Sequence, residues 1–325
     1  MCRGIPAALM ITPRCLTPRA GADTIVTSFP GPPPNRCLSM TIALVADIHG
    51  NRTALDAVLS DAHAQGVREF WFLGDFCAIG PEPSAVLERV EDLPGARFIR
   101  GNTDRYVVTG EGPPPHLLQV RADPDLISLF AEIAASMAWT RGYLAAVGRL
   151  DWLAGLPLET RFTTAEGVRI LAVHASPGTD DGEGIHPGRS NAELNALLEG
   201  SGADLVIVGH THAPMARRVS RGWVVNPGSV GNPHGPDPRA SYAILRPSPD
   251  GLVIRHRRVP YDLEAFAEAV RRSRHPGAAF ILSFIEGARP AYPPHPDHTP
   301  WRPDQEFRIG SAPVGRPGVD DESPR

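Results

Sequence analysis

The 325-residue chain is 42% hydrophobic and 21% charged, a balance that suits a soluble folded domain and excludes a chain too polar to build a core. Its formal charge of -4 is too small for this length to mark a polyanion-binding surface, so nucleic acid is not implied. Cys2, Cys15, Cys37 and Cys77 are irregularly spaced and imply neither a disulfide framework nor a thiolate metal site. No apolar run approaches the roughly 18 residues a bilayer span needs and no apolar signal core opens the chain, so a cytoplasmic protein with no membrane partner is expected.

Residues 1–39 carry repeated Pro and Gly, scattered Arg and no apolar period, which predicts a disordered extension. It faintly resembles a transit peptide; the reading favoured is that Met40 is the natural start. Thr41 to Ala46 is a buried strand by its continuous apolar character, and from Asn51 a helix sets Leu55, Val58, Leu59 and Ala62 on one face. Strand, helix and strand then recur at Glu69–Leu73, Ser84–Val90 and Arg97–Arg100, the alternation of an α/β sheet. A helical stretch from about Asp125 to Leu153 precedes strands at Arg161–Thr163, Val168–Val173, Asp204–Val208, Trp223–Val225, Ser241–Leu245 and Leu252–Arg258, which predict a second sheet. A helix from Tyr261 to about Arg274 closes the domain with Leu263, Phe266 and Val270 as its apolar stripe, and the Pro-rich stretch 288–325 is expected to be a disordered tail. The folded domain is thus expected over 40–287.

Residues of metal-ligand type follow these strands five times, at the carboxyl ends where open α/β sheets bind ligands. Asp47-Ile48-His49 follows the first strand and Gly74-Asp75 the second; alone, each reads as a turn or a helix cap. Gly101-Asn102-Thr103-Asp104 follows the third strand, where an Asx turn is the ordinary explanation. His174 closes Ile170–Val173, and a lone His there is usually a hydrogen-bonded core residue. Gly209-His210-Thr211-His212 is the sharpest signal, since two imidazoles one residue apart at a strand end have few structural uses. Five such motifs in chain order are hard to produce by chance. The mixed O and N donors suit Mn, Fe, Zn, Co or Ni, and seven ligands without Asp104 exceed one tetrahedral site.

This order of motifs resembles the calcineurin-like metallophosphoesterase superfamily, in particular its small bacterial and archaeal phosphodiesterase branch, because Val225-Asn226-Pro227-Gly228-Ser229-Val230-Gly231 follows the Gly-His-x-His motif. The resemblance spans roughly Met40 to Tyr261 and implies an α/β/β/α sandwich with two central mixed sheets. It implies two divalent transition-metal ions, Mn foremost, one on Asp47, His49, Asp75 and His212 and the other on Asp75, Asn102, His174 and His210, with Asp75 bridging. A hydroxide between the ions would attack a small phosphorylated substrate, with Asp75, Asn102, Asp104 and His210 as the catalytic set and Asp104 orienting ligands or solvent. Thr103 stands where many monoesterases of the superfamily carry a histidine, so a general acid is lacking and a phosphodiesterase is expected. Thr103, Asn226, Ser229, His186 and His234 are candidates for substrate contact; His63, His116, His256, His275, His295 and His298 lack motif context and are expected at the surface.

Two alternatives remain on this fold. One is a dinucleotide polyphosphate or nucleotide hydrolase. The other is a protein-interaction scaffold, as one retromer subunit of the superfamily is, though a scaffold has no reason to keep every ligand. A β-lactamase-type metallohydrolase requires a His-x-His-x-Asp-His cluster that the chain does not contain.

Overall fold

The computed structural model describes residues 41–164, 167–249, 251–287 and 289–310; the extension expected over 1–39 lies outside them. The first half runs β1 (Ile42–Val45), α1 (Arg52–Ala64), β2 (Glu69–Phe72), α2 (Pro83–Glu91), β3 (Arg97–Phe98), α3 (Asn102–Thr109), α4 (Leu117–Ala122), α5 (Ile127–Ala146) and α6 (Leu150–Ala154). The second half runs β4 (Glu159–Thr163), β5 (Arg169–Val173), α7 (Asn191–Ser201), β6 (Leu205–Ile207), β7 (Met215–Val219), β8 (Gly222–Asn226), β9 (Ala240–Ser248), β10 (Gly251–Val259), α8 (Leu263–Ser273), α9 (Ala278–Leu282) and β11 (Glu306–Gly310). Among the described residues no helix is long and apolar enough to cross a membrane.

The strands form two mixed sheets, one ordered β11-β10-β9-β1-β2-β3 and one ordered β4-β5-β6-β8-β7. Within them β1, β2 and β3 run parallel, as do β5, β6 and β8, so two sets of carboxyl ends are available for ligands. The period-two alternation of strand side chains explains how the sheets stack. Ile42 and Leu44 of β1 and Trp71 of β2 pack into the same core as Ile170 and Ala172 of β5 and Leu205 and Ile207 of β6. The intervening residues Ala43, Val45, Phe70 and Phe72 face α1 and α2 through Leu55, Val58, Leu59, Val86 and Leu87. On the far side Leu171, Val173 and Val206 meet Leu194 and Leu198 of α7. Helices α1 and α2 thus pack on the first sheet, α7 packs on the second, and the two sheets share a core.

Local rules account for the elements that periodicity alone misses. Ser190 caps α7, its Oγ accepting from Glu193 N at 3.2 Å while the Glu193 carboxylate accepts from Ser190 N at 2.7 Å. The expected long helix over Asp125–Leu153 divides into α5 and α6 after Val147, where Gly148 adopts a left-handed φ of 70°. The disordered tail expected from residue 288 is corrected over 289–310: β11 pairs antiparallel with β10 and buries Ile309. Backbone ladder bonds hold this strand, which a Pro-rich composition does not reveal.

Helix α1 is tied to the first sheet by Asp61, whose carboxylate accepts from Tyr242 Oη at 2.6 Å and from Arg257 Nε and Nη2 at 2.9 and 2.7 Å. Burial raises the Asp61 pKa, but the bonds from Arg257 and Tyr242 outweigh it and hold the carboxyl below its ordinary 3.8. A lowered folded-state pKa stabilises the fold above the ordinary value, and that contribution disappears as pH falls through the folded one. Asp61→Asn should therefore lower stability by about 1–2 kcal/mol at pH 7. Urea titrations of both proteins from pH 7 to pH 3 should show the difference shrinking below about pH 4; a gap that widens in acid contradicts the assignment.

Candidate metal centre

Each predicted ligand stands just beyond the carboxyl end of a parallel strand: Asp47 and His49 after β1, Asp75 after β2, Asn102 after β3, His174 after β5, His210 and His212 after β6. Asp47, His49, Asp75 and His212 are buried, and each offers a ligand atom within 4.8 Å of the others. The Nε2 atoms of His49 and His212 are 3.1 Å apart. Nδ1 of His49 lies 2.5 Å from the Ala78 carbonyl oxygen and Nδ1 of His212 lies 2.7 Å from that of Asn232. Carbonyl oxygens only accept, so each Nδ1 carries a proton and, in the neutral ring, each Nε2 presents a bare lone pair. Two lone pairs facing at this distance repel unless positive charge lies near both. Oδ1 of Asp47 lies 3.4 Å from Nε2 of His212, and the other oxygen of that carboxylate, Oδ2, is buried with no hydrogen-bond partner. These donors fit a divalent cation.

A second group repeats the pattern. Nε2 of His174 lies 3.2 Å from Oδ1 of Asn102, and Nδ1 of His210 lies 3.1 Å from the same oxygen. The opposite ring nitrogens donate to backbone, His174 Nδ1 to Leu73 O at 2.5 Å and His210 Nε2 to Gly182 O at 2.8 Å. Outer contacts of this kind fix the tautomer and aim of a metal-binding imidazole. Between the groups sits Oδ2 of Asp75, 3.7 Å from Nε2 of His49 and 3.5 Å from Nε2 of His174.

The electrostatics carry the same demand for positive charge. Burial opposes ionisation of Asp75, yet His174 and His49 hold its carboxyl well below the ordinary range. Burial pushes Asp47 up to about 6, with Asp75 adding to the rise. His174 is buried, which disfavours its charged form, but Asp75 and Asp47 outweigh burial and raise it to about 10. Without a cation, a proton on His174 meets part of the demand.

The backbone at these positions is unusual. Asp47, His49, Asp75, His210 and His212 have φ of 56°, 49°, 58°, 65° and 55°, in the left-handed region. Asp and His tolerate that region better than most residues, but each such position still costs on the order of 1 kcal/mol. Bonds between strand ends hold the conformation: His49 N donates to Asp75 O at 3.0 Å, Gly231 N to Asp47 O at 3.0 Å and His210 N to Asp47 Oδ1 at 3.2 Å. At Gly101 a Cβ would meet Asp75 Oδ1 at 2.0 Å, so the β3–α3 turn approaches the shared carboxylate as only glycine allows. Beyond it, Thr103 N at the start of α3 donates to that same oxygen at 3.0 Å.

Several expected roles change. Asp104, expected to orient ligands or solvent, has a buried carboxylate that accepts from Asp75 N, Phe76 N and Gly101 N at 2.8, 3.0 and 2.9 Å, clamping the β2 and β3 turns together. Asn226 and Ser229 are not substrate contacts. Asn226 Nδ2 donates to Gly209 O at 2.7 Å and Ser229 Oγ to Asp47 O at 2.8 Å, both fully buried. His186 lies outside the central pocket and stacks on Tyr292 at 4.6 Å. Thr103 and His234 do line that pocket, a cavity of about 420 Å³ that opens onto His49, Asp75, Asn102, His210 and His212. Nor are His256 and His275 surface residues: both are buried, and His256 Nε2 donates to Asn226 O at 2.8 Å. Sequence reasoning also passes over Arg289 and Tyr292, which line the cavity from the segment expected to be a tail.

Fold and site together define an α/β scaffold that carries a buried cluster of metal-ligand residues, and comparison gives its family. A family model described as the calcineurin-like phosphoesterase superfamily domain matches residues 40–249, and the chain belongs to that superfamily. An uncharacterized protein of Methanocaldococcus jannaschii is 28% identical over 251 residues, 72% of this chain and 93% of its own length. The crystal structure of a metallophosphoesterase from Sphaerobacter thermophilus superposes with a TM-score of 0.59 at 26% identity, covering 77% of this chain and 99% of that one. A hypothetical protein from Pyrococcus horikoshii shares the fold with a TM-score of 0.63 at 23% identity, over 77% of this chain and 99% of its own.

Asp104→Asn tests the clamp, because an amide keeps the shape but brings N–H groups toward backbone donors. Affinity for Mn²⁺ by titration calorimetry should fall about 10- to 100-fold, the usual loss when an outer-shell residue goes. Unchanged affinity in a folded variant refutes the positioning role.

Proposed function

We propose that the chain hydrolyses phosphoesters, with diesters preferred to monoesters, using two divalent transition-metal ions that share Asp75. The observation that supports this reading is the convergence of imidazole nitrogens, each with its opposite ring nitrogen held by a backbone carbonyl, on either side of one carboxylate oxygen. Asp47, His49, Asp75 and His212 would hold one ion; Asp75, Asn102, His174 and His210 the other. The mixed oxygen and nitrogen donors suit manganese and its neighbours. Bound there, the ions supply Lewis acidity to the phosphoryl oxygens and activate water for in-line attack.

The chain's own residues position and shield. Left-handed turns aim the ligands, and Thr103 N at the start of α3 holds Oδ1 of Asp75 in place. Neither Thr103 nor His234, the two expected candidates that line the pocket, is suited to protonate the leaving group at pH 7. Burial, with Arg289 beside it, lowers the His234 pKa to about 4, so this ring is neutral at pH 7, and the Thr103 hydroxyl that lines the pocket is a very weak acid. A scaffold role fits less well, since it would not require buried ligands in strained backbone.

Purified protein should bind about two Mn²⁺ per chain, and chelation should abolish hydrolysis of an aryl phosphodiester. Asp75→Asn should be more damaging than His49→Ala because Asp75 faces both ligand groups; equal, mild losses refute the shared site.

Rates across esters of graded leaving-group pKa should fall steeply, with alkyl monoesters slowest, since a positioned acid worth about 10² to 10⁴ in rate is lacking. Thr103→His should flatten that dependence where the new ring reaches the leaving oxygen. A wild-type slope near zero shows that another residue already acts as the acid.

A further inference from the structure

Arg289 lines the central pocket beside the first ligand group, its Nη1 3.4 Å from Nδ1 of His212. The side chain is half-buried. Among the described residues no carboxylate forms a salt bridge with it; the group beneath the guanidinium is the Phe284 ring, 5.9 Å away at its centroid. A partly buried cation is stabilised by an anion in contact with it; Asp47 and Tyr292 act on Arg289 through space, but among the described residues no carboxylate reaches salt-bridge distance. The planar fork of a guanidinium matches the oxygens of a phosphate, and Arg289 faces the pocket in which phosphate would meet the metal ligands. Its backbone is held: Arg289 O accepts from Gly235 N at 3.0 Å and Pro290 O from His234 Nδ1 at 2.9 Å, while Tyr292 stacks on His234 at 5.2 Å.

The rest of the pocket has a different character. Ile79, Leu129, Ile133, Met137 and Phe280 line it from α5, α9 and the loop after β2, so that side is mainly apolar, with Glu132 and Ser136 of α5 as the polar residues among them. Leu129 and Phe280 are 48% and 53% exposed, large apolar groups left open to solvent beside a polar site. Surface of that kind is covered when an apolar ligand occupies it.

Resting on the phosphoesterase reading, we infer that the substrate is a phosphoester with a bulky apolar substituent, its phosphate clamped by Arg289 and its substituent laid against Leu129, Met137 and Phe280. Specificity then comes from α5, α9 and the segment after residue 288, none of which supplies a metal ligand.

Calorimetric binding of phenylphosphonate and methylphosphonate to the metal-loaded full chain, with metal content measured first, tests this. The phenyl compound should bind about tenfold tighter or more, as burial of one ring predicts. Phe280→Ser, a change at an exposed side chain, should remove most of that advantage and leave methylphosphonate binding unchanged. Arg289→Gln should weaken both ligands at least tenfold without loss of metal, and Arg289→Lys should recover part of the affinity. Equal binding of the two phosphonates, or an Arg289→Gln variant with wild-type affinities, overturns this inference alone. Protein that loads metal but binds neither phosphonate, or that loads no metal, overturns the phosphoesterase reading with it.

Discussion

Imidazole nitrogens without protons, crowded against one another and against two carboxylates in a dry interior, require positive charge. His49 and His212 face each other through Nε2 at 3.1 Å because Ala78 and Asn232 have claimed their other nitrogens. The desolvation penalty of each buried carboxylate is several kcal/mol, so Asp47 and Asp75 add to the same requirement. A proton on His174 can answer it in part, but one proton cannot lie between both sets of nitrogens. The arrangement makes sense as a cavity shaped for cations.

Holding such a cavity is the task of the two sheets. Their parallel strands are buried on both faces, which fixes the positions of the strand ends to within the tolerance of a packed core. That rigidity stabilises five ligand residues in left-handed backbone, a conformation they would not keep as free loops. Asp104 makes the linkage explicit. By accepting from three backbone N–H groups of two different turns, it joins the loop that carries Asp75 to the loop that carries Asn102. The ligand set is therefore a property of the whole sandwich rather than of any motif.

Much of this was legible in the residues. Each ligand was visible because it closed an apolar strand, and β1, β2, β5 and β6 are apolar runs that no other element would use. The direction of a carboxylate is another matter. Spacing places Asp104 beside Asn102 but does not say that it turns toward backbone. Asn226 and Ser229 sat in a glycine-rich turn next to the site, and only the packing shows that they brace Gly209 and Asp47. Strand β7 escaped notice because Arg217 and Arg218 interrupt its apolar pattern, although the Arg217 side chain is buried and donates to the carbonyls of Arg189 and Pro187. Composition misled most at the end of the chain, where ladder pairing with β10 and stacking on His234 order a Pro-rich segment.

Anomalous diffraction from crystals loaded with Mn²⁺ tests the central claim most directly. Two peaks on either side of Asp75 are predicted, one bonded to Asp47, His49 and His212 and the other to Asn102, His174 and His210. A single peak, or none with the His49 and His212 rings still turned toward each other, would contradict the account.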